Sequence, residues 1–351
     1  MKIKTVLQFL ESIAPPVYQE SYDNAGLIVG NASTEVTNVL CCLDTTEAVI
    51  EEAIAQNCNL IIAHHPIVFK GLKRFNGKNY VERVVIKAIK HDIAIYAIHT
   101  NLDNMLYQGV NTRIAEQLGL INTRILAPKK KLKKLYAFAE EAILNDLRND
   151  LFEVGGGAIN RQTQLSYATL GVGTKDGQGK ATLKLEVAFP IAIQGKIQAI
   201  LTKYEANHEV NYDIISIENT NIRIGSGMIG TLPKSMKEKT FLKYLKEKLQ
   251  VTCIKHTALS GKNIKKVAFC GGAGGFLLKQ AIRQQADIFI TADYKYHEFF
   301  DADNKIIIAD VGHYESEQFT INLLHEVLTQ KFSNFAAHCT KVNTNPVSYY
   351  F

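Results

Sequence analysis

Short uninterrupted apolar runs punctuate the chain: NVLCCLD (38–44), NLIIAHH (59–65), IAIYAIHT (93–100), KKVAFCGG (265–272), DIFITAD (287–293) and KIIIAD (305–310). Polar residues follow each run, and segments such as TEAVIEEAIAQ and NYVERVVIKAIKH then repeat apolar positions every three or four residues. Continuous Val/Ile-rich strands alternating with amphipathic helices predict an α/β fold in which helices cover both faces of the sheet. The opening MKIKTVLQFLESI carries the same helical spacing and stops at Pro15 and Pro16.

The rhythm changes between residues 130 and 222. A strand and a helix in KKLYAFAEEAILNDLRNDLFEVGGG lead through glycines to a hairpin in SYATLGVGTKDGQGKATLKLEVAFP, whose tip is glycine-rich. A helix over IQGKIQAILTKY and a strand over NYDIISIEN complete a β-α-β-β-α-β order, the ferredoxin-like arrangement. The pattern therefore predicts an α/β host in two parts, 1–129 and 223–351, interrupted by an α+β domain over 130–222.

Composition narrows the class. The chain has 351 residues, 46% hydrophobic and 21% charged, which excludes a disordered or collagen-like protein. No run reaches the roughly 18–20 uncharged apolar residues of a membrane span. Glu11 interrupts the N-terminal apolar run, so a secretory signal is not expected and the cytoplasm is the default compartment. The six cysteines (41, 42, 58, 253, 270, 339) form no Cys-x-x-Cys pair and read as reduced, core-filling thiols. The net charge of +6 is local, in KKKLKK (129–134) and KSMKEKTFLKYLKEK (234–248). Lysines interleaved with Glu238 and Glu247 read as a solvated helix face, and a nucleic-acid groove would need a broader basic surface with stacking aromatics.

The candidate chemistry lies where apolar runs end, since open α/β sheets collect ligands beyond the carboxyl ends of their strands. NLIIA ends in His64 and His65. IAIYAI ends in His99-Thr100-Asn101 and reaches Asp103. KIIIAD leads through Gly312 to His313, with Glu317 four residues on and on the same helical face. Three imidazoles (His64, His65, His313) and two carboxylates (Asp103, Glu317), from three strand ends of one presumed sheet, exceed the needs of one catalytic zinc. Five such ligands suit two divalent ions, of Zn, Fe, Mn or Co type, sharing a bridging group. Asp293 and His297, again four apart, mark another strand end. There His297 reads either as a partner or acid/base beside the ions or as a surface residue.

Gly271, Gly272, Gly274 and Gly275 lie between a strand and a helix, and read either as a cradle for an anion or phosphate or as a tight turn. They match neither a Walker A loop nor GxGxxG. Asp44 with Thr45 and Thr46 reads as a helix N-cap, and Asp23-Asn24 as a turn making local hydrogen bonds. No Gly-x-Ser-x-Gly elbow is present, and no cysteine has an evident histidine partner.

The ordered motifs YDNAGLIVG, IIAHHPIVF, AIHTNLDN, GSGMIG, FCGGAGG, TADYKYHE, DVGHYESE and TNPVSYYF resemble, over essentially the whole chain, the GTP cyclohydrolase I type 2 homologue family, also called the Nif-three-like dinuclear-metal proteins. The resemblance implies that His64, His65, Asp103, His313 and Glu317 hold two divalent ions. It also implies that 130–222 is a PII-like inserted domain of longer bacterial members, and that the protein forms a homohexamer. Tyr22 stands where the family often has Trp, and ANHEVNYD replaces a Pro-Tyr-Glu-Glu type segment. The function so implied is a metal-dependent hydrolase acting on a nucleotide-like substrate through activated water, with His297 moving protons and the glycine loop receiving a phosphate. The other reading is a non-catalytic, metal-binding hexamer that senses a small molecule through the insert.

Overall fold

The computed structural model describes residues 1–175 and 178–350. The chain divides into two compact units, one made of Met1–Ala127 and Gly225–Phe351, the other of Pro128–Ile224.

The first unit holds two sheets. The five-stranded sheet runs, in spatial order, Gly26–Val29, Ala94–Ala97, Leu60–Ala63, Val39–Cys42 and Ala337–Cys339. Its last four strands are mutually parallel, and only Gly26–Val29 runs against its neighbour. The six-stranded sheet runs Lys255–His256, Ile307–Asp310, Ile288–Thr291, Asn263–Phe269, Asn221–Lys237 and Ile121–Lys129. Its centre is parallel, flanked by antiparallel pairings on both sides. The apolar runs thus form strands of two sheets, not of the single sheet that the sequence pattern suggested. Periodicity identifies a buried strand but carries no information about its neighbours, so it cannot count sheets.

Alternation of side chains within each central strand divides the packing. Leu60, Ile62, Val267, Phe269, Ile288 and Ile290 enter one shared core, together with apolar residues of helices Ile3–Ile13, Val110–Gln117, Glu238–Lys248 and Thr320–Lys331. The intervening residues Ile61 and Ala63 pack with helices Glu47–Ala55 and Tyr80–Lys90, while Ala268, Phe289 and Ile308 pack with Leu277, Leu278 and Ala281. Both faces of each parallel region are therefore buried, which explains why those strands read as continuous apolar runs. In the lysine-rich helix Glu238–Lys248, Phe241 and Leu245 are buried while Lys239, Lys243, Lys246 and Lys248 are exposed, as a solvated face requires. No helix among the described residues is long and apolar enough to cross a membrane.

The second unit has the order strand Leu132–Ala139, helix Glu141–Glu153, strands Ser166–Lys175 and Gln178–Pro190, helix Gln194–Glu205 and strand Asn211–Ser216. Its sheet places Leu132–Ala139 between Gln178–Pro190 and Asn211–Ser216, with all neighbours antiparallel. Leu135, Leu147, Leu151, Leu185, Phe189, Ile197 and Leu201 form its separate core. Asp176 and Gly177, in the glycine-rich hairpin tip read from the sequence, lie outside the described residues.

Phe289 is fully buried on a central strand of the six-stranded sheet. Phe289→Ala is expected to lower unfolding stability by about 3–5 kcal/mol in denaturant titration, the usual consequence of a cavity left by a core aromatic.

Candidate metal centre

Strand Leu60–Ala63 ends directly in His64 and His65, and strand Ala94–Ala97 delivers His99 and then the short helix Thr100–Asp103. From the six-stranded sheet, Ile307–Asp310 leads through Gly312, at φ 92°, into helix His313–Glu317. The carboxyl ends of two sheets therefore meet, and all five candidate ligands read from the sequence come together.

Glu317 is the centre of the cluster. Its Oε2 lies 3.0 Å from His65 Nε2, 3.2 Å from His313 Nε2 and 3.8 Å from His64 Nε2. His64 Nε2 is also 3.5 Å from Asp103 Oδ1. His65, His313 and Glu317 form one group of donor atoms with metal-like spacing, and His64, Asp103 and Glu317 form another. Glu317 belongs to both.

The imidazoles are oriented from behind. His64 Nδ1–H donates to the carbonyl of Ile98 at 2.9 Å, His65 Nδ1–H to Asp44 at 2.8 Å, and His313 Nδ1–H to Asp293 at 2.7 Å. These bonds turn each Nε2 toward the cluster, the arrangement by which carboxylates and carbonyls orient metal-ligating histidines.

Electrostatics point the same way. Burial, then the nearby charge of Glu317, pushes the Asp103 carboxyl well above its usual range. Burial also opposes ionisation of Glu317, but the imidazoles of His313, His64 and His65 around it outweigh that and hold this carboxyl well below normal. Burial lowers His64, favouring the neutral imidazole that ligates metals. For His65, burial is outweighed by hydrogen bonds to Asp44 and Glu317, which raise it to about 10. His64 Nε2 and Asp103 Oδ1 are buried and have no hydrogen-bond partner. The buried Glu317 carboxylate, the neutral imidazole of His64 and the two unpartnered buried atoms fit a cation, since buried polar groups are otherwise satisfied.

Three residues with other sequence readings take part in this arrangement. Asp44 is not the cap of helix Glu47–Ala55. Thr46 accepts the Val49 amide, leaving Asp44 to hold His65 and to accept from Thr344. Asp23 does accept the Asn24 amide locally, but it also accepts from His99 Nδ1 at 2.8 Å and from Thr100. Those bonds outweigh the cost of its burial and hold its carboxyl at about 2. His99 itself forms a donor group with His64 and His65 and lines the same cavity. Its position beside a strand end was the signal available in the sequence.

His297 stands elsewhere. Asp293 has a left-handed backbone and the chain then enters a 3-10 segment, Tyr296–Ala302, so spacing by four does not put the two on one helical face. Asp293 bonds His313, whereas His297 is exposed against the Tyr296 ring and does not line the cavity. The glycine loop is a close-packed turn. The amides of Gly271, Gly272 and Gly274 donate to the side chains of Asn111, Ser316 and Thr291, so they are not free to cradle a phosphate.

The Duf34/NIF3 (NGG1p interacting factor 3) family model matches residues 1–346. The chain is 32% identical to the "GTP cyclohydrolase 1 type 2 homolog" of Bacillus subtilis, covering 98% of this chain and 97% of that protein. A Bacillus cereus protein described as related to NIF3 superposes with a TM-score of 0.84 at 31% identity, covering 100% of this chain and 99% of the other. Staphylococcus aureus protein SA1388 does so with a TM-score of 0.82 at 29% identity, with the same coverage.

Gly272 has φ 61°, and a Cβ there would lie 2.5 Å from Glu317 Oε1. Gly261, at φ 80°, would place a Cβ within 4 Å of nothing. Both alanine substitutions are expected to lose about 1–2 kcal/mol from backbone strain in thermal or denaturant unfolding. Only Gly272→Ala is expected also to weaken divalent-cation binding, by about tenfold or more as outer partners of metal sites do, measured by competition with a chromophoric chelator.

Proposed function

The chain belongs to the Duf34/NIF3 family, and from that premise we propose that it is a dinuclear, divalent-metal-dependent hydrolase acting on a nucleotide-like cyclic substrate. The observation that carries this reading is the Glu317 carboxylate shared by two sets of donors, His65–His313 and His64–Asp103. One ion would be held by each set, with Glu317 common to both. Nitrogen and carboxylate donors without thiolate suit Zn, Fe, Mn or Co. Two such ions supply Lewis-acid polarisation of a water and of the electrophilic substrate atom.

The protein's own part is positional. His64 is fully buried and fixed through the Ile98 carbonyl, while Asp103 reaches the cavity. The side carrying His65 and His313 opens on a cavity of about 830 Å3. There Asp44 and Asp293 keep protons at the Nδ1 atoms, so that neither imidazole turns. Preorganisation of this kind lets a site act on a developing charge without rearranging. The name carried by the relatives supports hydrolytic opening of a nitrogen heterocycle as the reaction class. We place the protein in the cytoplasm, consistent with six cysteines that form no disulfide. We also assign it the homohexameric state that the motif resemblance implies.

Cation-loaded protein is expected to hydrolyse at least one member of a nucleotide, nucleoside and nucleobase panel, and both His65→Ala and Glu317→Ala are expected to abolish turnover. Elemental analysis should give two ions per chain for the wild type and fewer for each variant. Turnover that survives both substitutions rejects the proposal. Light scattering should give six times the 39.1 kDa chain mass.

The second reading is a regulatory protein in which 128–224 is a PII-like sensing unit, and it is supported by the β-α-β-β-α-β order of that unit. A silent substrate panel, together with calorimetric binding of an effector that substitutions within 128–224 remove, favours it over the hydrolase.

A further inference from the structure

We propose that the cavity beside the metal centre selects a planar nitrogen heterocycle carrying little or no negative charge, a nucleobase or nucleoside, over a nucleoside triphosphate. This inference rests on the dinuclear-hydrolase reading above and narrows its substrate class.

The walls of the cavity are acidic. Seven carboxylic residues line the cavity, against one lysine and no arginine. The lysine, Lys255, is already paired with Asp310 at 2.6 Å. Outside the histidines, the lining holds no uncommitted cationic side chain. Triphosphates are ordinarily held by bidentate arginines, by lysine, or by a nest of free backbone amides. Two divalent ions would themselves be surrounded by these carboxylates, which leaves little positive potential for a polyanion.

The glycine turn that borders the centre is where the sequence places a candidate phosphate cradle. Its Gly271, Gly272 and Gly274 amides are bonded to Asn111, Ser316 and Thr291 at 2.8–3.0 Å. Occupying them with phosphate would strand three side-chain acceptors, on Asn111, Ser316 and Thr291, all of them buried.

The rim is aromatic. Tyr22, Phe69, Tyr80 and Phe276 line the cavity, and each is more than half exposed. Phe69 lies at the edge of the metal centre itself, its ring 5.8 Å from that of His99. Large aromatic faces left in water around a polar centre mark a place where another flat surface is to be buried. A heterocycle stacked there would present its ring atoms to the cluster, which is where a ring-opening hydrolysis needs them.

The test is calorimetry on the full-length, cation-loaded protein with the four common ribonucleosides and their bases, GTP and inorganic tripolyphosphate as probes. At least one uncharged probe should bind as tightly as GTP or more tightly, and tripolyphosphate should bind weakly. Phe69→Ala and, independently, Phe276→Ala should each weaken that probe about tenfold, with cation stoichiometry unchanged. GTP or tripolyphosphate binding tenfold tighter than every uncharged probe overturns the inference, as does uncharged-probe affinity indifferent to both substitutions, or no binding of any uncharged probe. The two readings fail separately. Nucleoside binding without turnover removes the hydrolase and keeps the selectivity, whereas turnover of triphosphates alone keeps the hydrolase and removes the selectivity.

Discussion

Everything around the centre follows from placing two carboxylates, Asp103 and Glu317, together with three imidazoles. Burial, and then the neighbouring like charge, pushes Asp103 up, while Glu317, closer to the imidazoles, is held down. Hydrogen bonding alone does not resolve this, because His64 Nε2 and Asp103 Oδ1 are left unpartnered. A multivalent cation would resolve it by accepting lone pairs from both carboxylates and from Nε2 atoms. The outward-facing Nδ1 bonds then have a purpose beyond stability, since a histidine free to flip would present the wrong nitrogen. His65 and His313, on the more open side, are anchored by full carboxylates. The enclosed His64, which packing already holds, is anchored by a carbonyl.

The sequence exposed the donors because α/β folds put function at the carboxyl ends of strands, and an apolar run that stops at His64-His65 declares its end. Spacing by four worked for His313 and Glu317, where a true helix follows, and failed for Asp293 and His297, where a left-handed residue and a 3-10 segment follow instead. The supporting acids were harder to read. Asp44 and Asp23 sit in strings that fit a cap and a turn equally well. Their actual partners, His65 and His99, are 21 and 76 positions away. No local pattern encodes such a pairing.

The division of labour between the sheets was also hidden from the pattern. His64, His65, His99 and Asp103 belong to the five-stranded sheet, while His313, Glu317 and Asp293 belong to the six-stranded one. The shared core between one face of each sheet sets how closely those strand ends approach. Apolar side chains far from the chemistry therefore fix the distance between the His64–Asp103 donors and the His313–Glu317 donors. Packed interiors are stiff enough to do so within the tolerance that coordination demands.

Backbone strain is distributed unevenly across that junction. Gly272, Asp293 and Gly312 all have positive φ, and all lie in loops of the six-stranded sheet that touch His313 or Glu317. At Gly312 a Cβ would come 2.2 Å from Glu315 Oε2, so only glycine can start the helix that presents both donors. On the five-stranded side the chain passes from strand to His64 and His65 without a left-handed residue. Conformations of that kind persist only where their surroundings over-determine them. Here the surroundings are the candidate ligands and their hydrogen-bond partners. The six-stranded side is thus bent to meet a fixed partner: the buried His64 end provides the reference, and the turns at Gly272, Asp293 and Gly312 bring Glu317 to where both sets of donors reach it.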